Sequence, residues 1–336
     1  MAVRRHPWRW AGGLALAVAL LAGWWLWSNS QRYLKQGTDL LNFGRYADAR
    51  PALEQAKKFN PLSKAAGCGL TAVKLDAMRS DPEQLRTRLD EASREYPGCA
   101  YLKVLSGEQK ARAGNFPAAI KDFTSAKDSE PKLAEAHFDM GLAYDAQGDP
   151  DSALEPYQTA CNLSPDTPRY CDNLADLYFR QGKYPEAIKV YGKTEQHPNS
   201  FLELAKIYRL QGKLPEAAGR EKDAIRWLEK PSAPAEQENV WVLDTGVDHT
   251  VQLSSLNEKQ CYAKLELAVT RFLQGDKSEA ARVVPATLGE SGKCDSRKTE
   301  LTNILRWELR RMRNEVPQLA QGSEGFAKLL GVSLDY

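Results

Sequence analysis

The groups in this chain with the reach for chemistry are few and scattered. Four histidines, His6, His137, His197 and His249, fall in four separate segments of the 336 residues. An Asp-Thr-Gly turn at Asp244, set among Val240, Val242, Leu243 and Val247, has the form that presents one carboxylate of an acid–base pair. Such chemistry needs a second carboxylate held beside the first to share a proton. The non-helical stretch around Asp244 runs only from Pro231 to Gln260, too short for the β-barrel that would hold both. Asp244, Asp248 and His249 carry metal-ligating atoms, but their spacing matches no established ligand set, which makes them solvated loop residues. The chain contains no Walker loop, no Gly-x-Gly-x-x-Gly, no His-Glu-x-x-His and no Gly-x-Ser-x-Gly. The expectation is therefore no catalytic residue, no metal and no cofactor, the alternative being an enzyme that uses the 232–260 insert.

The elements that position these groups are set by a beat of glycines. Gly44, Gly114, Gly148, Gly182, Gly212 and Gly275 are each followed five residues later by an alanine: Ala49, Ala119, Ala153, Ala187, Ala217 and Ala280. Around Gly148 a whole unit is legible as Gly141, Tyr144, Gly148, Ala153, Tyr157, Ala160 and Pro165. Gly141 and Ala153 are small because two antiparallel helices cross there, and Tyr144 and Tyr157 fill the flanking space. Gly148 permits a left-handed turn between the helices. Pro165 ends the second helix because it lacks an amide hydrogen and clashes with the preceding turn. The code recurs upstream at Gly107, Gly114, Ala119, Phe123, Ala126 and Pro131, and downstream at Ala175, Tyr178, Gly182, Ala187 and Tyr191.

This pattern resembles the tetratricopeptide repeat. The resemblance implies an all-α solenoid of helical hairpins in which each unit contacts its neighbours. We read about six units: five from 30 to 231, including a degenerate one over 66–99, and one from 261 to 294. Around them lie a basic tail (1–9), an apolar segment (10–28), an insert (232–260) read as a short hairpin or ordered loop, and C-terminal helices (295–336). Of these last, the amphipathic stretch Thr299 to Asn314 is read as the polar-faced cap that a solenoid needs at its end.

In such repeats the first helix of each unit lines an inner groove. Residues expected to face it are Tyr101, Glu108 and Arg112; Phe138, Leu142 and Asp145; Arg169, Asp172, Asn173, Asp176 and Arg180; and Lys206 and Arg209. Asn173, Lys206 and Arg209 resemble part of the lysine–asparagine clamp with which some tetratricopeptide domains grip a C-terminal carboxylate. Phe138 and Leu142 stand where that clamp wants polar donors, so the function does not carry over.

Six cysteines are present and no Cys-x-x-Cys, which argues against a zinc ribbon or a thioredoxin-like site. Cys68 and Cys99 begin successive first helices, Cys261 and Cys294 bracket the last unit in nearly the same phase, and Cys161 and Cys171 lie on adjoining helices. Side-by-side packing would bring each pair within disulfide range. The alternative is six buried thiols.

Residues Ala11 to Leu26 carry no charge, with Trp8 and Trp10 at one end and Trp24, Trp25 and Trp27 at the other. A stretch of this length approaches the minimum for a bilayer span, and tryptophan belts mark its interfaces. Arg4, Arg5 and Arg9 precede it, predicting an N-terminus inside and the repeats outside. The Gly-Trp-Trp-Leu-Trp that follows the apolar core is not a signal-peptidase site, which favours an uncleaved anchor over a signal peptide. Without the three arginines ahead of the span, 43 basic residues face 44 acidic ones, a balance with no basic stripe for nucleic acid. The function expected is a single-pass membrane scaffold, its repeats in a periplasm-like oxidising compartment, that binds a protein partner during envelope assembly, secretion or complex biogenesis. The alternative orientation makes it a cytoplasm-facing tethered regulator.

Overall fold

The computed structural model describes residues 8–193, 197–230, 241–244, 250–289 and 294–335, with side chains from residue 18 onward except over 241–251 and at 295. Sixteen α-helices lie among the described residues. Helix Trp8–Asn42 pairs with Tyr46–Phe59, and five further pairs follow: Lys64–Asp76 with Pro82–Glu95, Ala100–Arg112 with Phe116–Ser129, Ala134–Ala146 with Pro150–Leu163, Pro168–Arg180 with Tyr184–Tyr191, and Pro198–Leu210 with Leu214–Leu228. The array thus holds six pairs before residue 231, one more than the five units expected. A seventh pair, Leu256–Leu273 with Lys277–Leu288, begins inside the expected insert because Ser255 and Glu258 form a capping box ahead of it. Trp241–Asp244 and Thr250–Leu253 form a two-stranded antiparallel hairpin, with Leu243 opposite Val251. Asp248 and His249 lie outside the described residues, as does the side chain of Asp244.

The turns are the glycine beat made visible. All six glycines have φ between +70° and +95°, the left-handed region that only glycine enters without a Cβ penalty. At Gly148 the turn closes with Gly148 N–H donating to Asp145 O at 2.9 Å and Asp149 N–H to Tyr144 O at 3.0 Å, which satisfies carbonyls that the helix end leaves open. The degenerate 66–99 unit lacks this glycine and turns through 77–80 instead. Helix crossing is as tight as the small residues imply: a Cβ on Gly141 would meet Tyr157 Cδ1 at 2.6 Å, and one on Gly107 would meet Phe123 Cε1 at 2.4 Å.

The chain divides into two compact units, Met1–Leu174 and Ala175–Tyr336. In the first, Leu41, Leu53, Ala72, Leu85, Val104, Leu105, Ala119 and Phe123 pack into one core. In the second, Leu202, Tyr262, Leu265 and Ala268 pack with Leu301, Ile304, Leu305 and Leu309 of helix Lys298–Glu315 and with Phe326 of helix Ala320–Leu330. The stretch Thr299 to Asn314, expected as a polar-faced cap, lies within helix Lys298–Glu315 and packs its apolar residues against this core.

No helix among the described residues is long and apolar enough to cross a membrane. Positions 10–17 of the expected span have no described side chains. Beyond them Val18, Leu20, Leu21, Trp24, Trp25, Leu26 and Trp27 are all exposed, 42–67% of each. Helix Trp8–Asn42 continues without a break into the first repeat, where Phe59 packs against Trp25 at 5.5 Å and stacks on Tyr33 at 5.8 Å between ring centroids.

Candidate functional site

The inward faces of the first helices, where the sequence places a binding groove, hold two dense networks of charge. In the first unit the centre is Arg79, just beyond helix Lys64–Asp76. Its Nη1 lies 2.7 Å from Glu108 Oε1, its Nη2 3.0 Å from Glu135 Oε1 and its Nε 2.6 Å from Asp76 Oδ1. Tyr46 OH donates to the other Glu135 oxygen at 2.6 Å, and Tyr101 OH donates to Asn42 Oδ1 at 3.1 Å. Arg112 Nη1 donates to the Arg79 carbonyl at 3.1 Å. Arg169 lies 5.1 Å above the Phe138 ring and 5.0 Å from that of Tyr170, with its Nη2 3.7 Å from Glu135. Carboxylate oxygens of Glu108, Glu135 and Asp139 fall within 4.8 Å of one another. Burial pushes Glu108 up to about 7 and Asp139 well above its ordinary range, and in each case the neighbouring carboxylates add to the rise against the pull of the arginines.

Five residues expected to face a partner, Tyr101, Glu108, Arg112, Phe138 and Arg169, are thus engaged by their own unit. Tyr101 and Phe138 are buried, while Arg169 keeps half its side chain in solvent. Leu142 is exposed and Asp145 partly so. Asn173 turns back on its own helix, donating to Arg169 O at 2.8 Å, and Asp172 is partly buried.

The second unit buries its network more deeply. Arg209, 1% exposed, forms ion pairs with Glu221 and Glu266 and a third with Glu308 Oε2 at 3.0 Å, and Nη1 also reaches Thr270 Oγ1 at 3.2 Å. Thr270 donates to Glu221 at 2.6 Å. Lys206 Nζ lies 2.7 Å from Glu203 Oε1 and 3.1 Å from Glu308 Oε1, the atom that also accepts from Tyr262 OH at 2.9 Å. Two cations here face four carboxylates. Burial drives Glu203 and Glu221 up to about 7 and Glu266 well above its ordinary range. Burial acts the same way on Glu308, but Lys206 and Arg209 outweigh it and hold that carboxyl below its ordinary value. Arg209, expected to face the groove, lies buried among these carboxylates. Its Nη1 and Nη2 are engaged by carboxylates of its own unit, while its buried Nε has no hydrogen-bond partner among the described residues. Asp176 accepts from Tyr191 OH, and Arg180 is exposed.

Sequence reasoning missed Tyr46, Arg79, Glu135 and Asp139 in the first unit and Glu203, Glu221, Tyr262, Glu266, Thr270 and Glu308 in the second. A signal existed for Glu135, which stands one repeat period from both Tyr101 and Arg169 and shares their inward phase. None existed for Arg79, which sits in the degenerate turn.

The cysteines form three disulfides, Cys68–Cys99, Cys161–Cys171 and Cys261–Cys294, with Cα atoms 5.8, 4.7 and 6.5 Å apart. No free cysteine remains among the described residues.

Residues 104–168 and 173–234 match the family model of the tetratricopeptide repeat. Over those residues the chain carries tetratricopeptide repeats. Among curated relatives of these repeats, the human protein O-mannosyl-transferase TMTC1 is 27% identical over 190 residues, covering 54% of this chain and 21% of its own length. The photosystem I assembly protein Ycf3 of Synechococcus sp. (strain CC9605) is 30% identical over 110 residues, covering 31% of this chain and 64% of its own length. The chain therefore spans about a fifth of the first relative and less than two thirds of the second. Solved structures of similar fold include the anaphase-promoting-complex assembly Cut9–Hcn1, at 14% identity over 88% of this chain and 53% of that one, with a TM-score of 0.49. Another is PilF of Pseudomonas aeruginosa, at 19% identity over 59% of this chain and 91% of that one, with a TM-score of 0.42.

Proposed function

We propose that this protein is a membrane-anchored tetratricopeptide scaffold that binds a protein partner during envelope assembly, secretion or complex biogenesis. The observation that carries the binding role is the repeat array itself, since such hairpins expose long inward faces able to follow an extended partner. Leu142, exposed between Phe138 and Asp145, the exposed Arg112 and the half-exposed Arg169 are groove residues of the first unit with surface left to offer. Similarity to a photosystem I assembly protein supports a part in building complexes.

The anchor rests on the exposed run Val18–Trp27, which continues the uncharged Ala11 to Leu26 segment. An exposed apolar patch on one helix, of which Trp25 also packs against Phe59, suits a lipid environment or another protein. Three disulfides suit an oxidising compartment, and with the arginines ahead of the span they favour repeats on the extracytoplasmic side.

The test places a photo-cross-linking residue at Leu142 in the full chain in native membranes, with a second variant carrying it at the outward-facing Lys121. A discrete adduct from position 142 alone, in a carbonate-resistant membrane fraction, is the expected result. Equal labelling from both positions, or release of the chain by carbonate, refutes the scaffold or the anchor respectively.

A further inference from the structure

Helix Lys298–Glu315 lies along the inner groove of the second unit as a bound peptide would. Three first helices line that groove, and the residues they turn inward meet the C-terminal helix in order: Phe179, then Lys206 and Arg209, then Tyr262. Glu308 takes the centre, bonded to Lys206 at 3.1 Å, Arg209 at 3.0 Å and Tyr262 OH at 2.9 Å. One turn on, the Arg311 guanidinium sits 4.1 Å from the Phe179 ring centroid and donates to Tyr184 OH at 3.3 Å. Tyr184 OH in turn donates to Glu315 at 3.1 Å. The spacing 308, 311, 315 puts all three on one helix face. Leu301, Ile304, Leu305, Leu309 and Met312 supply the apolar part of that helix, each at most 2% exposed. Ahead of the helix, Cys294 is bonded to Cys261 on the groove-lining helix Leu256–Leu273, so the segment enters the groove tethered.

We propose that the inner groove of the second unit is a receptor for an amphipathic helix that presents a glutamate within an apolar face, and that Lys298–Glu315 is its resident ligand in cis. The recognition follows the helix-in-groove mode, with apolar anchors one turn apart and a buried charge that fixes register. Lys206, Arg209 and Tyr262 read the glutamate, because an apolar residue at that place would leave three buried donors each short of the acceptor they share in Glu308, although Lys206 keeps Glu203 and Arg209 keeps Glu221 and Glu266. The Cys261–Cys294 tether gives the resident a high local concentration, which an untethered helix of the same chemistry must overcome. This inference is independent of the membrane location and of the first unit's partner, and its test in purified protein leaves both untouched.

The experiment uses the full chain carrying Cys261→Ser and Cys294→Ser, with a protease site placed in 290–293, and a fluorescent synthetic peptide of residues 294–336. After cleavage the labelled peptide should exchange into the groove with saturable anisotropy. A Glu308→Gln peptide should bind at least tenfold more weakly, and a Glu324→Gln peptide, altered at an exposed position, should bind as the parent does. Lack of saturable exchange overturns the proposal, as does equal binding by the Glu308→Gln peptide. Loss of helical signal from the cleaved body when the segment is removed also overturns it, because the body would then need the helix in order to fold and would hold no groove to receive it.

Discussion

Replacing Arg209 with methionine tests the charge arrangement of the second unit most directly. Methionine keeps much of the length and removes the charge, leaving Glu221, Glu266 and Glu308 around an apolar chain. Glu308 retains Lys206 and Tyr262, and Glu221 retains Thr270, so the uncompensated charge falls mainly on Glu266. Removing one member of a buried ion pair costs about 3–5 kcal/mol. That is a large part of the roughly 5–15 kcal/mol that holds a typical domain folded. The loss also has a pH signature. Without Arg209 the folded-state pKa values of Glu221 and Glu266 rise further above their unfolded values. The variant's deficit is then largest above its own folded pKa values, shrinks as pH falls from those to the parent's, about 7 for Glu221, by about 1.4 kcal/mol per pH unit for each proton taken up, and is constant below, where both proteins hold the proton. Urea unfolding of the full chain, followed by circular dichroism at pH 8 and pH 5, reads both effects. A deficit below about 1 kcal/mol at pH 8, or one of equal size at the two pH values, would refute the reasoning.

Three other expectations follow from named contacts. In the parent protein burial pushes Glu203 and Glu221 up to about 7 when folded, so the stability these two groups contribute is fully present below the ordinary glutamate value and is lost as pH rises through about 7. The fall amounts to up to about 3 kcal/mol per group, and melting temperatures that are flat between pH 5 and 8 would count against it. Gly141→Leu should lower stability by about 1–3 kcal/mol or more through overpacking against Tyr157. Gly219→Leu, where a Cβ meets nothing within 4 Å, should not, and equal melting curves for the two would show that the helix crossing lies elsewhere. Removing Cys68–Cys99 by a double serine substitution should cost about 3–4 kcal/mol, the chain entropy of a loop spanning 31 residues. A change under about 1 kcal/mol in non-reducing urea unfolding would mean that the degenerate unit does not depend on its staple.

The helix pairs, the left-handed turns and the tight crossings were legible because each is a local requirement. A glycine at 148 or 141 answers a need set by residues within one hairpin, and a fixed period repeats that need in every unit. Phase along the period also carried the inward positions, which is why Lys206 and Glu108 could be picked from the sequence. Where the period fails, so does the reading. The 66–99 unit has no turn glycine, and Arg79, which sits in that turn and organises the first network, left no mark.

What the sequence determined by itself was the hairpin, its length and the side of each helix that turns inward, because these depend on neighbours a few residues apart. Tertiary structure decided what meets that side. Arg209 finds Glu266 at a separation of 57 residues and Glu308 at one of 99, and Tyr46 finds Glu135 across 89. No periodic rule links such positions, because their meeting depends on the summed curvature of several units and on where the C-terminal segment comes to rest. A glutamate in the amphipathic stretch 298–315 reads as a solvated charge on a capping helix until the groove closes over it. Burial then removes water from Glu308 and leaves Lys206, Arg209 and the Tyr262 hydroxyl to replace solvent, partners that only the folded chain brings together.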